Sequence, residues 1–265
     1  MKKIIFLTLF SFSIVSSFSQ TLDANGKKQG YWKKYDTKGK LLYEGEFKND
    51  KPISTFKYYY PNDSVKAIMN FKLEGKIAYS KLFHMNGKRM GEGKYINEEK
   101  DSVWLFFDEA GVLISKDNYK LGKKNGQSIV YLPDGNIAEE RLFKDNVMNG
   151  PYKQYFGPGK LRGMGSYVNG ELDGKSTHYY PNGVEVATGY YVLGKKNGPW
   201  IYRNENGTVK EKELFKNGVQ ANKKDTEAFF NKNKVQNTTV PKQSAVPSKT
   251  TTNSVKAKPG AKKWV

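Results

Sequence analysis

Short runs of Tyr, Phe, Trp, Val and Ile recur along this chain, separated by stretches rich in Lys, Asn, Asp and Gly. The spacing is fixed. The stretch LGKKNG stands at Leu121–Gly126 and again at Leu193–Gly198, and a shorter GKKQG stands at Gly26–Gly30. Gly26 lies 96 residues before Gly122, and Gly122 lies 72 before Gly194, both multiples of 24. A repeated period decides the architecture before any local motif does. In blocks of 24 the starts are Gly30, Ser54, Ala78, Ser102, Gly126, Gly150, Gly174 and Gly198, all small, with no insertion or deletion. Position 6 is aromatic from Tyr35 to Tyr179 and breaks at Arg203; position 18 is aromatic in every block, from Phe47 to Phe215. Position 10 is glycine except at Asp63.

Each block carries two reversal signals. Pro133-Asp134-Gly135, Pro181-Asn182-Gly183, Asn86-Gly87 and Asn206-Gly207 fall at positions 8 to 10. Asn169-Gly170, Asn217-Gly218 and the LGKKNG stretches fall at positions 20 to 24. Such residues supply turn dihedrals, and the runs between them favour strands. Two reversals per period mean one hairpin per repeat. No helical periodicity appears inside a block, which argues against leucine-rich and β-helical alternatives. The predicted fold is all-β: an elongated, single-layer antiparallel meander of about eight 24-residue hairpins, or about sixteen strands, twisted or curved. A sheet without a second layer suits tyrosine, with its apolar body and polar tip, and the chain has 18 Tyr and 15 Phe. Small residues at block starts, and Gly45, Gly93, Gly165 and Gly189 at position 16, are expected to leave room for rings on the next strand. A lone hairpin is not stable, so stability comes from neighbours.

The ends read differently. Residues 1–19 have the charged start, apolar run and small-residue end of a cleavable export signal, cut before Gln20; an uncleaved anchor is the alternative. Residues 20–29 are an N-terminal cap segment and 30–221 the eight repeats. Residues 222–230 suit a short capping helix with Asp225 as N-cap. Residues 231–265 are expected to be a disordered basic tail, since Lys, Thr, Asn, Ser and Pro dominate them. The formal net charge is +19, and ten lysines stand against Asp225 and Glu227 from Ala221 onward. There is no cysteine, which excludes a lipid-anchored lipoprotein and thiol chemistry. The implied location is the periplasm, outer envelope or exterior.

Tyr43-Glu44-Gly45-Glu46-Phe47-Lys48-Asn49, followed by Phe56-Lys57-Tyr58-Tyr59-Tyr60-Pro61-Asn62, resembles the MORN repeat. Gly30-Tyr31-Trp32 and Gly198-Pro199-Trp200 resemble its bacterial variant in the YwqK-type antitoxin family. The likeness runs from about Gly30 to Gln220. It implies a scaffold, a membrane-associated factor or an antitoxin. Asp63 departs from the turn glycine, and Ser80, Ser128 and Ser176 depart from the position-3 aromatic.

Catalytic signals are sparse. His84 and His178 are the only histidines and occupy different repeat positions, so no metal site, cofactor site or nucleophilic dyad is assigned. No carboxylate pair marks a hydrolase. LGKKNG lacks the spacing and following helix of a nucleotide loop and reads as a turn. If such turns align, Lys27, Lys28, Lys123, Lys124, Lys195 and Lys196 form a basic row for anionic lipid or cell-wall polymer. Trp32, Trp104 and Trp200 share position 3 and are candidate partner-binding aromatics. The expected function is a non-enzymatic, exported scaffold binding a protein partner. Alternatives are an immunity-type antitoxin, implied by the resemblance, and an envelope module for anionic lipid or polysaccharide. Nucleic acid is set aside for an exported protein, and pairing of sheet edges would give a homodimer.

Overall fold

The structure is a computed structural model that describes residues 20–233. The stretch 1–19, expected to be an export signal, and the expected tail beyond Asn233 lie outside the described residues. From Thr21 to Gln220 the chain forms one antiparallel sheet in which strands pair with their neighbours in sequence. The described residues contain twenty strands rather than about sixteen. Asn149 separates Val147–Met148 from Gly150–Gly157, and Asp173 separates Glu171–Leu172 from Gly174–Tyr179. Thr21–Leu22 and Val219–Gln220 add a short strand at each end.

Each repeat is one hairpin. In the first, Lys28–Tyr35 runs against Leu41–Lys48, pairing Gly30 with Phe47 and Trp32 with Gly45. The Asp36 N–H donates to the Lys40 carbonyl, and the Gly39 N–H to that of Asp36. This is a tight turn closed by a left-handed residue, a geometry that suits strand twist. Asp63 takes that conformation at φ 65° where the other repeats have glycine. The second reversal is a two-residue turn with both central residues left-handed: Leu121 at 49° and Gly122 at 73°, Leu193 at 48° and Gly194 at 74°. LGKKNG is therefore a turn followed by the start of a strand. The Gly122 N–H donates to Lys100 O and that of Gly194 to Leu172 O, so each turn is bonded to the preceding repeat. GKKQG belongs to a different turn, in which Asp23 N–H donates to Lys27 O and Gly26 N–H to Asp23 O.

Most repeats join through a bulge. Glu44 pairs with Lys57 and Glu46 with Ile53, so Gly45 faces extra residues on the next strand. The block-start residue takes the left-handed bend there: Ser54 at φ 63°, Ser102 at 61°, Gly174 at 91°, Gly198 at 76°. Their small size was expected to make room for rings. It serves the backbone instead, since a Cβ on Gly174 or Gly198 would meet nothing within 4 Å. Ala78 is the exception. Its joint is a regular ladder from Ala67↔Leu82 to Lys72↔Ile77, without the extra twist a bulge brings.

The position-16 glycines do make room. Alternation along the strands puts positions 3, 5, 14, 16 and 18 on one face. A Cβ on Gly93 would lie 2.3 Å from Trp104, one on Gly189 2.3 Å from Trp200, and one on Gly45 2.4 Å from Phe56. Each large ring thus lies against the glycine of the preceding repeat, and all three are buried. Tyr152 turns the other way, onto Gly165 of its own repeat, because Arg141 occupies the preceding position 16. Position 7 adds bonds between repeats: the Tyr60 hydroxyl donates to Phe83 O and the Tyr180 hydroxyl to Arg203 O.

A separate unit begins at Asn222. Its described part is the helix Lys223–Lys232. The N-cap is Asn222, not Asp225: the Asn222 side chain accepts from the Asp225 N–H, and Asp225 lies in the first turn. The helix includes Asn231 and Lys232, two residues expected in the tail.

Candidate functional site

The ring face carries a repeated cation site. In repeat 4 the Lys100 ammonium lies 5.0, 4.8 and 5.2 Å from the rings of Trp104, Phe106 and Tyr119. In repeat 8 Lys196 lies 4.5, 5.4 and 4.8 Å from Trp200, Tyr202 and Phe215, and donates to the Tyr202 hydroxyl at 2.7 Å. Lys28 sits over Trp32 and Phe47, and Lys124 over Phe143. A cation over an aromatic face contributes about 0.5–2 kcal/mol, more as water is excluded. Burial holds the Lys100 ammonium below the usual lysine range; Asp117 acts against this and Lys124 with it.

These contacts correct the basic row. Lys28, Lys124 and Lys196 lie on the ring face. Lys27, Lys123 and Lys195 are exposed at the turns, but Glu99 and Glu171 occupy the same repeat position between them. Strands about 4.8 Å apart put Lys123 and Lys195, three repeats from each other, about 29 Å apart along the edge, beyond the screening length of about 8 Å. The six lysines thus divide between the ring face and the turns rather than forming one row. The tryptophans are corrected too. Trp104 is 0% exposed and Trp200 2%, and their indole N–H groups donate to Lys94 O and Tyr190 O. Trp32 is half-buried and donates to Gln29 O. None is a free surface anchor.

Serine replaces the ring at position 3 in repeats 3, 5 and 7, and at the first two of these the preceding position 16 is not glycine either. Between repeats 4 and 5 the position-16 glycine becomes Asp117, and the following position 3 is Ser128. Asp117 is 2% exposed. It accepts from Ser128 Oγ at 2.5 Å and Ser115 Oγ at 3.3 Å, and pairs with Lys124 Nζ at 3.1 Å. The buried charge is thus paired and hydrogen-bonded, as burial requires.

The other of these two places is in repeats 2 and 3. Pro52 stands where Lys28, Lys100, Lys124 and Lys196 stand in other repeats, and Ser80 replaces a ring. A hollow of about 690 Å³ opens here, lined by Pro52, Tyr58, Met69, Phe71, Ala78 and Tyr95. Glu74, Lys76, Asn97 and Glu98 also line it. Burial raises the Tyr58 phenol above its ordinary value, with Tyr43 and Glu98 adding to the effect.

The opposite face carries acid–tyrosine bonds between repeats. Tyr59 donates to Glu44 at 2.6 Å and Tyr155 to Glu140 at 2.7 Å. Across repeats 2 to 4 this face has a second depression of about 640 Å³, bordered by Ile68, Tyr79, Lys81, Glu92, Lys94, Val103 and Leu105. Tyr79 is 56% exposed and Val103 41%. Sequence reasoning missed this patch, although position 2 of successive repeats shares a face by alternation. The histidines have local partners: a His84 ring nitrogen lies 3.0 Å from Phe107 O, the role Tyr60 and Tyr180 play, and His178 lies 3.5 Å from Ser176 Oγ.

Hairpins of one length, with recurrent rings on one face and linked turns, define an open all-β repeat scaffold. The MORN repeat variant matches residues 28–49, 54–73, 100–121, 124–145, 172–191 and 196–217. The chain is a MORN repeat protein. No curated protein matches it. Among solved structures it is similar to TarM at 14% identity, with a TM-score of 0.20, over 50% of this chain and 19% of that one. An S. aureus TarM mutant in complex with fondaparinux, α-GlcNAc-glycerol and UDP gives 11%, 0.18, 63% and 21%. TcdB2-TccC3-TEV gives 12%, 0.20, 69% and 13%. The chain thus spans about a fifth or less of each.

Proposed function

We propose that this chain is a non-enzymatic scaffold, exported to the cell envelope, that binds a protein partner through the sheet face opposite the rings at repeats 2 to 4. The supporting observation is the patch of Ile68, Tyr79, Val103 and Leu105, bordered by Lys81, Glu92 and Lys94. Its exposed tyrosine and valine stand within charges of both signs. That combination suits a protein surface better than a polyanion, because tyrosine anchors protein interfaces and mixed rim charges give register. An anionic polymer would need a uniformly cationic surface, whereas this patch carries Glu92 beside Lys81 and Lys94.

The test is capture of envelope proteins by the tagged full-length chain, with binding to the captured partner then measured. Tyr79→Ala with Val103→Asp should weaken that binding at least about tenfold, the scale of one interface anchor. Equal capture by the double variant contradicts the assignment. The immunity-type reading names a toxin as the partner and is decided by the identity of the captured protein. Export is checked by the N-terminus of the mature protein, expected at Gln20.

A further inference from the structure

Repeats 2, 4 and 8 each have aromatic residues at positions 3, 5 and 18: Phe56, Tyr58 and Phe71; Trp104, Phe106 and Tyr119; Trp200, Tyr202 and Phe215. In repeats 4 and 8 the chain's own lysine covers the three rings, with its ammonium 4.5–5.4 Å from the ring centroids. In repeat 2 the corresponding residue is Pro52, which has no charge to offer. The hollow lies there, with Tyr58 and Phe71 in its lining. We propose that this hollow receives a lysine side chain from a protein partner, occupying the place that Lys100 and Lys196 fill in their own repeats.

The chemistry of the walls fits. Rings attract an ammonium through their faces, and the lysine stem packs on apolar surface. Met69 and Ala78 supply such surface beside Tyr58, Phe71 and Tyr95. Around the opening, Glu74 pairs with Lys51 at 2.5 Å, whereas Glu98 makes no ion pair among the described residues. Lys76 also lines the hollow and opposes an entering cation. Glu98 is thus the available counter-charge, and removal of Lys76 should favour binding. The hollow is on the opposite face from the Tyr79 patch, so the two assignments can fail separately.

The experiment uses the full-length chain and two short peptides, acetyl-Gly-Lys-Gly-amide and its norleucine counterpart, followed by the ring NMR signals of Tyr58, Phe71 and Tyr95. The lysine peptide should shift these signals in a saturable way, and norleucine should bind about tenfold more weakly, the factor expected for losing a partly desolvated cation–ring contact. Pro52→Lys should abolish the response by filling the site with the chain's own ammonium. Glu98→Gln should weaken it and Lys76→Met strengthen it, each with an unchanged circular-dichroism spectrum. Equal affinity for norleucine, an unaltered response in Pro52→Lys, or no shift of the three rings overturns the proposal. Tyr79→Ala with Val103→Asp should leave the response unchanged, and its loss in that variant also counts against the site.

Discussion

Two neighbouring joints on the same face show how this sheet manages without a second layer. Between repeats 3 and 4, Gly93 clears a place and Trp104 fills it, with Lys100 over the indole. Between repeats 4 and 5, Asp117 and Ser128 meet through a hydrogen bond, and Lys124 turns to the carboxylate. The backbone bulge is common to both. What differs is the residue at position 16, and the residue two strand positions into the next repeat follows it. A glycine admits a ring there; a carboxylate calls for a donor. The joint, rather than the single repeat, is the unit of packing.

The largest effect should come from emptying the ring joint. Trp104→Ala should cost about 3–5 kcal/mol in urea unfolding, because a fully buried indole leaves a cavity. Gly93→Val should come next, at about 1–3 kcal/mol or more, since its Cβ would overlap the indole and the ring would have to move. At the polar joint, Lys124→Met should cost about 1–3 kcal/mol: it leaves a buried carboxylate with only hydroxyl donors, while the lysine itself is one-third exposed. A smaller change of opposite sign is expected at the turns. Leu121→Asn should stabilise by on the order of 0.5 kcal/mol, since Asn accepts the left-handed conformation at less cost than Leu. Asn49, Asn97, Asn169 and Asn217 already hold that conformation at the same repeat position.

The face opposite the rings should respond to alkali. Burial, and then hydrogen bonds to Glu44 and Glu140, raise Tyr31 and Tyr155 from 10.0 to about 12. The fold favours the neutral phenol. The stability these groups contribute is therefore complete below pH 10 and falls as pH rises towards about 12. Ultraviolet titration of tyrosinate should show Tyr31 and Tyr155 among a set of late-ionising groups that also includes Tyr59 and Tyr202, and Glu44→Gln should lower the Tyr31 and Tyr59 values.

Much of this architecture is legible in the sequence, because it depends on local turn chemistry repeated at a fixed interval. The 24-residue period, the two reversals and the position-18 rings all follow from residues that can be read singly. The role of position 3 was harder to read. Tryptophans shared by several repeats suggest a surface, yet Trp104 and Trp200 are buried because Gly93 and Gly189 lie beneath them, and that depends on pairing between repeats. Strict alternation would have placed the second lysine of LGKKNG on the same face as the following ring. Treating the stretch as a loop concealed this. The hollow at repeat 2 is visible only as a pattern that fails: Pro52 in a lysine position and Ser80 in a ring position. The small block starts misled because size and backbone freedom coincide in glycine, and Ser54 and Ser102 reveal that the bend is what matters.

A double-mutant cycle at the polar joint tests the joint rule most directly. Ser128→Trp and Asp117→Gly should each destabilise the protein alone, the first by forcing an indole against a buried carboxylate and the second by removing the partner of Lys124 and Ser128. Together they rebuild the arrangement of Gly93 and Trp104, and the double variant should recover at least about 1–3 kcal/mol relative to the sum of the single changes. Changes that add to within about 0.5 kcal/mol would contradict the rule, because the ring would then be indifferent to what lies beneath it.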